Sequence, residues 1–240
     1  MTKTVAIIQA RMGSTRLPGK VLKPLAGAPM IARVVERTRR VTCIDEVVVA
    51  TSVLPEEEPL VAACAALDVR IVRGSPSDVL SRYALAASES RADVVVRITS
   101  DCPLISPMVT ARVVEAYRAG GCDYASNCHR RTFPRGLDTE VFSRAHLDLA
   151  HAEATDPSER EHVTPFIWRR PERFPIRHVV DPIDRSGLRW TVDTPEDLEL
   201  AQRLYAVLGA GGHDYADALA VLAQHPEWTQ LNSHIEQKKA

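Results

Sequence analysis

Short β-branched runs alternate with segments of helical spacing through the first half of the chain. Residues 5–9 form an apolar run that reads as a buried strand. Residues 29–40 follow, with Met30, Ile31, Val34 and Val35 at helical spacing and Pro29 suited to the first helical turn. The run EVVVAT at 46–51 predicts a second strand, the Ala-rich stretch 56–67 a helix, and 69–72 a third strand. Residues 77–89 predict a helix with Ser77 as its N-cap, 94–98 another buried strand and 107–119 a further helix. Alternation of this kind places strands in a mostly parallel sheet with helices on both faces, a three-layer αβα architecture of Rossmann-like type.

The rhythm changes after residue 122. Strands at 123–126 and 139–142 flank a polar, arginine-rich loop, NCHRRTFPRGLD. Two helices at about 144–153 and 159–169 and a strand at 176–180 complete an α+β excursion. A short strand at 188–192 leads into a helix opened by Pro195 and capped by Thr194, with Glu196 and Asp197 suiting its macrodipole. One more helix at 215–223 precedes a polar end, NSHIEQKKA, read as frayed. The organisation is thus a single domain over 1–210, with 123–185 as an inserted excursion and 211–240 as a C-terminal helix and tail.

Charge narrows the chemistry. The net charge is -1 with 25% charged residues, so the chain has no global signature for nucleic acid, and any anion site must come from local cations. No apolar stretch approaches the ~18 residues of a membrane span, and the N-terminus does not read as a secretion signal. The five cysteines (43, 64, 102, 122 and 128) show no CxxC spacing; a cytoplasmic protein with reduced thiols and no zinc is expected.

Local cations do cluster at QARMGSTRLPGK, residues 9–20, directly after the first strand. A Walker A loop needs GxxxxGK[ST]. Here five residues separate Gly13 from Gly19, Val21 follows the lysine, and Pro18 removes a backbone donor. The alternatives are a solvated basic loop or an anion site at the carboxyl end of a strand, with Arg11, Arg16 and Lys20 around a polyphosphate and Gly13 and Ser14 as donors. Asp101 sits just past the strand at 94–98, where a carboxylate fits a metal ligand, a hydroxyl anchor or a turn. Asp193 follows the run at 188–192 and is free of capping duty, because Thr194 takes it. Ser14 has no matched His/Asp set for nucleophilic catalysis. His162, alone on an amphipathic helix, reads as a packing or surface residue.

The runs IIQARMGSTRLPGKVLKPLAGAPMI, RITSDCPLISP, PRGLDTEVFS, REHVTPFIW and RWTVDTPEDLELA together resemble the cytidylyltransferases that activate sugar acids. These are the CMP-sialate and CMP-Kdo synthetases and, above all, the SpsF-like branch associated with spore-coat polysaccharide synthesis. The resemblance spans roughly 5–205. It implies a fold of the nucleotide-diphospho-sugar transferase type and transfer of CMP from CTP to a sugar acid, with release of pyrophosphate. It also implies Mg2+ on Asp101 and Asp193, and a homodimer formed with the excursion, where Phe166, Ile167 and Trp168 suit a dimer-contact helix. Carried onto this sequence, Gln9, Ala10, Arg11, Gly13, Ser14, Arg16, Lys20, Arg97, Thr99 and Ser100 hold the nucleotide. Arg11, Lys20 and Asp101 carry the chemistry. Around the acceptor, Arg135, Asp138 and Glu140 either bind an acidic molecule or form a solvated strand edge. Lys23, before Pro24, stands at a turn. A phosphonate or other small acid stays open as the acceptor, as does a nucleotide-binding regulator without turnover. A glycosyltransferase is disfavoured because Ser-Asp-Cys at 100–102 replaces the expected Asp-x-Asp.

Overall fold

The apolar run at the N-terminus becomes an inner strand of the sheet in the computed structural model, which describes residues 2–237. In chain order the strands and α-helices are β1 (Thr4–Gln9), β2 (Pro24–Leu25), β3 (Ala28–Pro29), α1 (Met30–Arg39), β4 (Glu46–Ser52), α2 (Glu58–Ala66), β5 (Arg70–Gly74), α3 (Val79–Glu89), β6 (Val94–Thr99) and α4 (Pro107–Arg118). There follow β7 (Tyr124–Ser126), β8 (Glu140–Ser143), α5 (Arg144–Glu153), α6 (Pro157–His162), α7 (Pro165–Trp168), β9 (Ile176–His178), α8 (Pro195–Leu208) and α9 (Tyr215–Gln224). The seven-stranded sheet runs β5-β4-β1-β6-β8-β7-β9. Its first four strands are parallel; β8 enters antiparallel between β6 and β7, and β9 lies parallel to β7.

Alternation along β1 builds both cores. Ala6 and Ile8 face a cluster with Val34, Leu60, Val113 and Leu204, from α1, α2, α4 and α8. Val5 and Ile7 face the opposite cluster, with Leu80, Tyr83, Leu147 and Phe166, from α3, α5 and α7. A parallel strand covered by helices on both faces must be apolar at successive positions, which is why these strands read as continuous runs. Among the described residues no helix is long and apolar enough to cross a membrane.

Several expectations are corrected. Asp78, not Ser77, caps α3: its carboxylate accepts from the Ser81 N–H at 2.9 Å. The expected helix 159–169 divides into α6 and α7 at Val163, whose φ is +73°, just ahead of Pro165. Phe166 and Ile167 are buried in the chain's own core and are not offered to a partner. Residues 188–192 form no strand; a single bridge joins Arg189 to Arg135. The small hairpin β2–β3, with Ala26 and Gly27 both at positive φ, is not legible in the hydrophobic pattern. Within the tail expected to fray, Asn232 is buried while Ser233, His234, Glu236 and Gln237 are exposed; residues 238–240 lie outside the described residues.

One backbone crossing positions the site. The segment Pro134–Leu137 passes against 188–191, with the Arg135 N–H donating to Leu188 O (3.0 Å) and the Trp190 N–H to Arg135 O (2.7 Å). At Gly136 φ is +106°, and a Cβ there would stand 2.5 Å from Thr191 N and 2.6 Å from Trp190 C. Only glycine fits this approach. A Gly136→Ala substitution combines backbone strain of ~1–3 kcal/mol with a clash against main chain. It should lower the melting temperature by roughly 5–10 °C at ~2–4 °C per kcal/mol, as read by calorimetry. An unchanged melting temperature would show that the crossing opens freely.

Candidate active site

Parallel strands present their carboxyl ends, where loops leave the sheet, to ligands. Gln9 and Thr99, paired in register, end β1 and β6 at such an edge. A cleft of about 800 Å³ opens there. After Gln9 the chain is tied down twice: the Ala10 N–H donates to Ala50 O (3.1 Å), and the Met12 N–H to Glu57 Oε2 (2.9 Å). The N–H groups of Ser14 and Gly19 then both reach Met12 O, at 2.9 and 3.3 Å, closing the loop on itself. Ser14 Oγ accepts from the Leu17 N–H at 3.3 Å. Gly19, at φ +64°, turns the chain into a 3-10 turn at Lys20–Leu22, and Lys20 swings back into the cleft.

There Lys20 meets carboxylates. Its Nζ lies 2.8 Å from Asp193 Oδ1, 2.9 Å from Val192 O and 3.4 Å from Asp101 Oδ2. Burial alone would lower the Lys20 pKa, but Asp101 and Asp193 outweigh it and hold the pKa above the ordinary 10.5. Asp193 Oδ2 takes Arg16 at 3.0 Å and Arg189 at 2.8 Å. Burial would raise the Asp193 pKa; Lys20, Arg16 and Arg189 overcome that and hold it below 3.8. Arg189 also binds the fully buried carboxylate of Asp197 through Nε (2.9 Å) and its second terminal nitrogen (3.0 Å). Asp197 accepts from the Asp193 and Thr194 N–H groups in turn, as part of the capping box that starts α8. Lys20, Arg16 and Arg189 thus stand against Asp101, Asp193 and Asp197, three charges on each side.

Asp101 is placed from two directions. The Thr99 hydroxyl donates to its Oδ1 at 2.6 Å, and its main-chain carbonyl accepts from the Val192 N–H at 2.7 Å. The second bond ties the end of β6 to the segment that carries Asp193. Two carboxylates converging on one ammonium form an oxygen donor set that suits a hard divalent cation completed by water and phosphate. Among the described residues no group of three or more His, Cys, Asp or Glu could enclose a metal, and Asp101 and Asp193 are the carboxylates here that could hold one.

Of the residues singled out by sequence, Gln9, Arg11, Gly13, Ser14, Arg16, Lys20, Arg97, Thr99, Ser100, Asp101, Arg135, Asp138 and Asp193 all line the cleft. Ala10 is buried behind it. Glu140 is buried in β8, where it takes Arg97, the Tyr124 hydroxyl and the Thr164 hydroxyl. It holds Arg97 in place and does not face an acceptor. Burial opposes the Arg97 charge, but Glu140 more than compensates and raises its pKa. Asp138 faces the cleft with Arg131 at 2.5 Å. Arg135 carries no ion pair among the described residues and lines the same wall.

Sequence reasoning missed Arg189, Thr191, Cys102, Glu161 and Gln237. Arg189 was legible in principle: it stands four residues before Asp193 and eight before Asp197, in the motif RWTVDTPED. Cys102 is buried, and burial first, then Asp101, pushes its thiol well up, so it is no nucleophile. His162 does reach the cleft; burial lowers its pKa below 6.5 and leaves it neutral at pH 7.

These shifts fix a sign. A depressed Asp193 contributes stability above its unfolded value, and that contribution is lost as pH falls through the folded pKa. A raised Lys20 contributes below 10.5, and loses it as pH climbs through its folded pKa. The melting-temperature gap between wild type and Asp193→Asn should therefore be constant from about pH 5 to 9 and shrink below about pH 4. A gap unchanged at acid pH would mean that Asp193 is not ion-paired.

Comparison with known proteins places the chain in a family. The family model described as cytidylyltransferase matches residues 5–238. The chain is 33% identical over 216 residues to the spore coat polysaccharide biosynthesis protein SpsF of Bacillus subtilis, covering 87% of this chain and 89% of that one. It is 34% identical over 238 residues to an uncharacterised protein of Methanocaldococcus jannaschii, covering 98% and 97%. A solved cytidylyltransferase from Leptospira borgpetersenii matches with a TM-score of 0.92 at 31% identity, over 100% of both chains. A CMP:2-keto-3-deoxy-manno-octonic acid synthetase solved with CTP has a TM-score of 0.67 at 22% identity and shares the fold, covering 86% of this chain and 100% of that one. With the family model matched over nearly the whole chain and relatives above 30% identity along most of its length, this is a nucleotidyltransferase, and the chain belongs to the cytidylyltransferase family.

Proposed function

We propose that this enzyme transfers CMP from CTP to a small acidic acceptor, a sugar acid first among them, and releases pyrophosphate in the synthesis of a surface polysaccharide or glycoconjugate. The observation that carries the reading is the convergence of the basic loop at 11–20 with Asp101 and Asp193 in one cleft at the carboxyl ends of β1 and β6. The names of the relatives support the nucleotide and the pathway class. A homodimer and a cytoplasmic location go with this reading.

Charge balance supports a divalent cation, with Mg2+ as the choice. Arg16, Lys20 and Arg189 are already matched by three carboxylates, so they add little net positive charge for a triphosphate. Asp101 and Asp193 would hold the cation, which when bound neutralises phosphate charge and polarises the α-phosphate. Lys20, displaced from between the two carboxylates, can then reach the phosphate oxygens. Arg11, exposed and without an ion pair among the described residues, is available to them as well. The Gly13–Ser14 backbone approaches from the loop, and Gln9, Thr99 and Ser100 form the floor where a base would lie.

Arg135, without an ion pair among the described residues, is a cation available to an acidic acceptor, and Asp138, steadied by Arg131, is a carboxylate available to a hydroxyl. The acceptor oxygen forms a bond to the α-phosphorus as the bond to the β-phosphate oxygen breaks, the charge departing on pyrophosphate. Most of the rate comes from position and fixed charge, because phosphoryl transfer asks little covalent chemistry of the protein.

The test is pyrophosphate release by the purified enzyme with Mg2+, each of the four nucleoside triphosphates, and a panel of sugar acids and phosphonates. Release confined to CTP with one acidic acceptor is expected, lost with a chelator and reduced about 10²–10³-fold in Arg11→Ala. Release with another nucleotide, or full turnover in that variant, would overturn the reading.

A further inference from the structure

The C-terminal segment reaches the carboxylate centre. Asn232 is only 2% exposed. Its side-chain amide donates to Asp197 Oδ1 at 2.8 Å and to the Arg189 carbonyl at 2.9 Å. Five residues on, Gln237 Oε1 accepts from one terminal nitrogen of Arg189 at 2.6 Å. The guanidinium is therefore held at all three nitrogens: one on Gln237, one shared by Asp193 and Asp197, and Nε on Asp197. A planar fork tied at three corners cannot rotate away from Asp193.

We infer that the C-terminal segment is a positioning element for the transfer reaction, acting from Asn232 and Gln237 through Arg189 on Asp193. The role of Asp193 rests on the proposed function; the chain of contacts does not. The grip is polar. Leu231 packs against the core just ahead of Asn232, and beyond it a small cavity of about 200 Å³ is lined by residues 186–189 together with Asn232, Ser233, Ile235 and Gln237, so what joins this segment to Arg189 is hydrogen bonds. Losing one bond leaves Arg189 a guanidinium with an open side, and Asp193 free to shift by fractions of an ångström. Misplacement on this scale is costly where catalysis depends on position.

The inference is tested with Asn232→Ala, Gln237→Ala and Gln237→Glu in the full chain, by turnover, melting temperature and amide exchange without nucleotide. The probe amide is that of Asp193, which donates to Asp197 Oδ2 at 2.9 Å. Both alanine variants should lose about tenfold in kcat, with the KM for CTP changed less than about twofold and the Asp193 amide exchanging about tenfold faster. Gln237→Glu keeps the acceptor for Arg189 and should recover both readouts. Unchanged exchange and turnover would show the tail to be a bystander. A lower melting temperature with full turnover per folded molecule would make its role structural only. A raised KM with unchanged exchange would mean that Gln237, which also lines the cleft, contacts substrate directly, and would overturn the positioning role. The exchange measurement needs no turnover, so failure of the proposed reaction in wild type would leave this inference separately decided.

Discussion

Asp193 is the pivot of this molecule. One carboxylate receives Lys20 and Arg16 from the N-terminal loop and Arg189 from the segment before α8. Through those contacts the first strand's loop, the start of α8 and the C-terminal tail become one unit. Buried charges on this scale are tolerated only when every member is paired; removing one partner of such a cluster typically costs ~3–5 kcal/mol, because it strands the other. The balance of three cations and three carboxylates is therefore a condition for folding this corner as well as a feature of the site.

Under the proposed function, the same balance accounts for how a folded, neutral site could receive a polyanion. Lys20 sits between Asp101 and Asp193, where a cation carried in with the nucleotide would belong. On that reading, exchange of one positive group for another would keep the carboxylates satisfied and leave the ammonium available to phosphate. Under the same proposed function, the parallel half of the sheet would supply the nucleotide end, and the arginine-bearing loop before β8 the acceptor end. Gly136 allows the two halves to touch, by letting backbone approach backbone at Trp190–Thr191.

Much of this was legible in the chain. The strands buried on both faces announce themselves as apolar runs, and the parallel architecture follows from their alternation with helices. The residues that line the cleft beside β1 and β6 were legible too, because they fall in one contiguous loop and one strand end. The pairings across the site were not. Lys20 and Arg16 read as phosphate ligands, yet they reach carboxylates more than 170 residues away in the chain, and no local pattern records such a contact. Glu140 read as an acceptor ligand because it shares a charged stretch with Asp138; Asp138 lies in the loop before β8 and lines the cleft, whereas Glu140 opens β8 and is buried against Arg97 and Tyr124. Asn232 and Gln237 lie in a polar end whose composition resembles a loose terminus, and only their partners reveal otherwise.

The central claim is that Lys20 and Asp193 act as one device. Its most direct test is a double-mutant cycle on kcat/KM for pyrophosphate release, comparing Lys20→Ala, Asp193→Asn and the pair. Each single change should cost about 10²–10³-fold, and the double variant should be worse than the poorer single by no more than about threefold. Losses that multiply in the double variant would show two independent contributions and contradict the account.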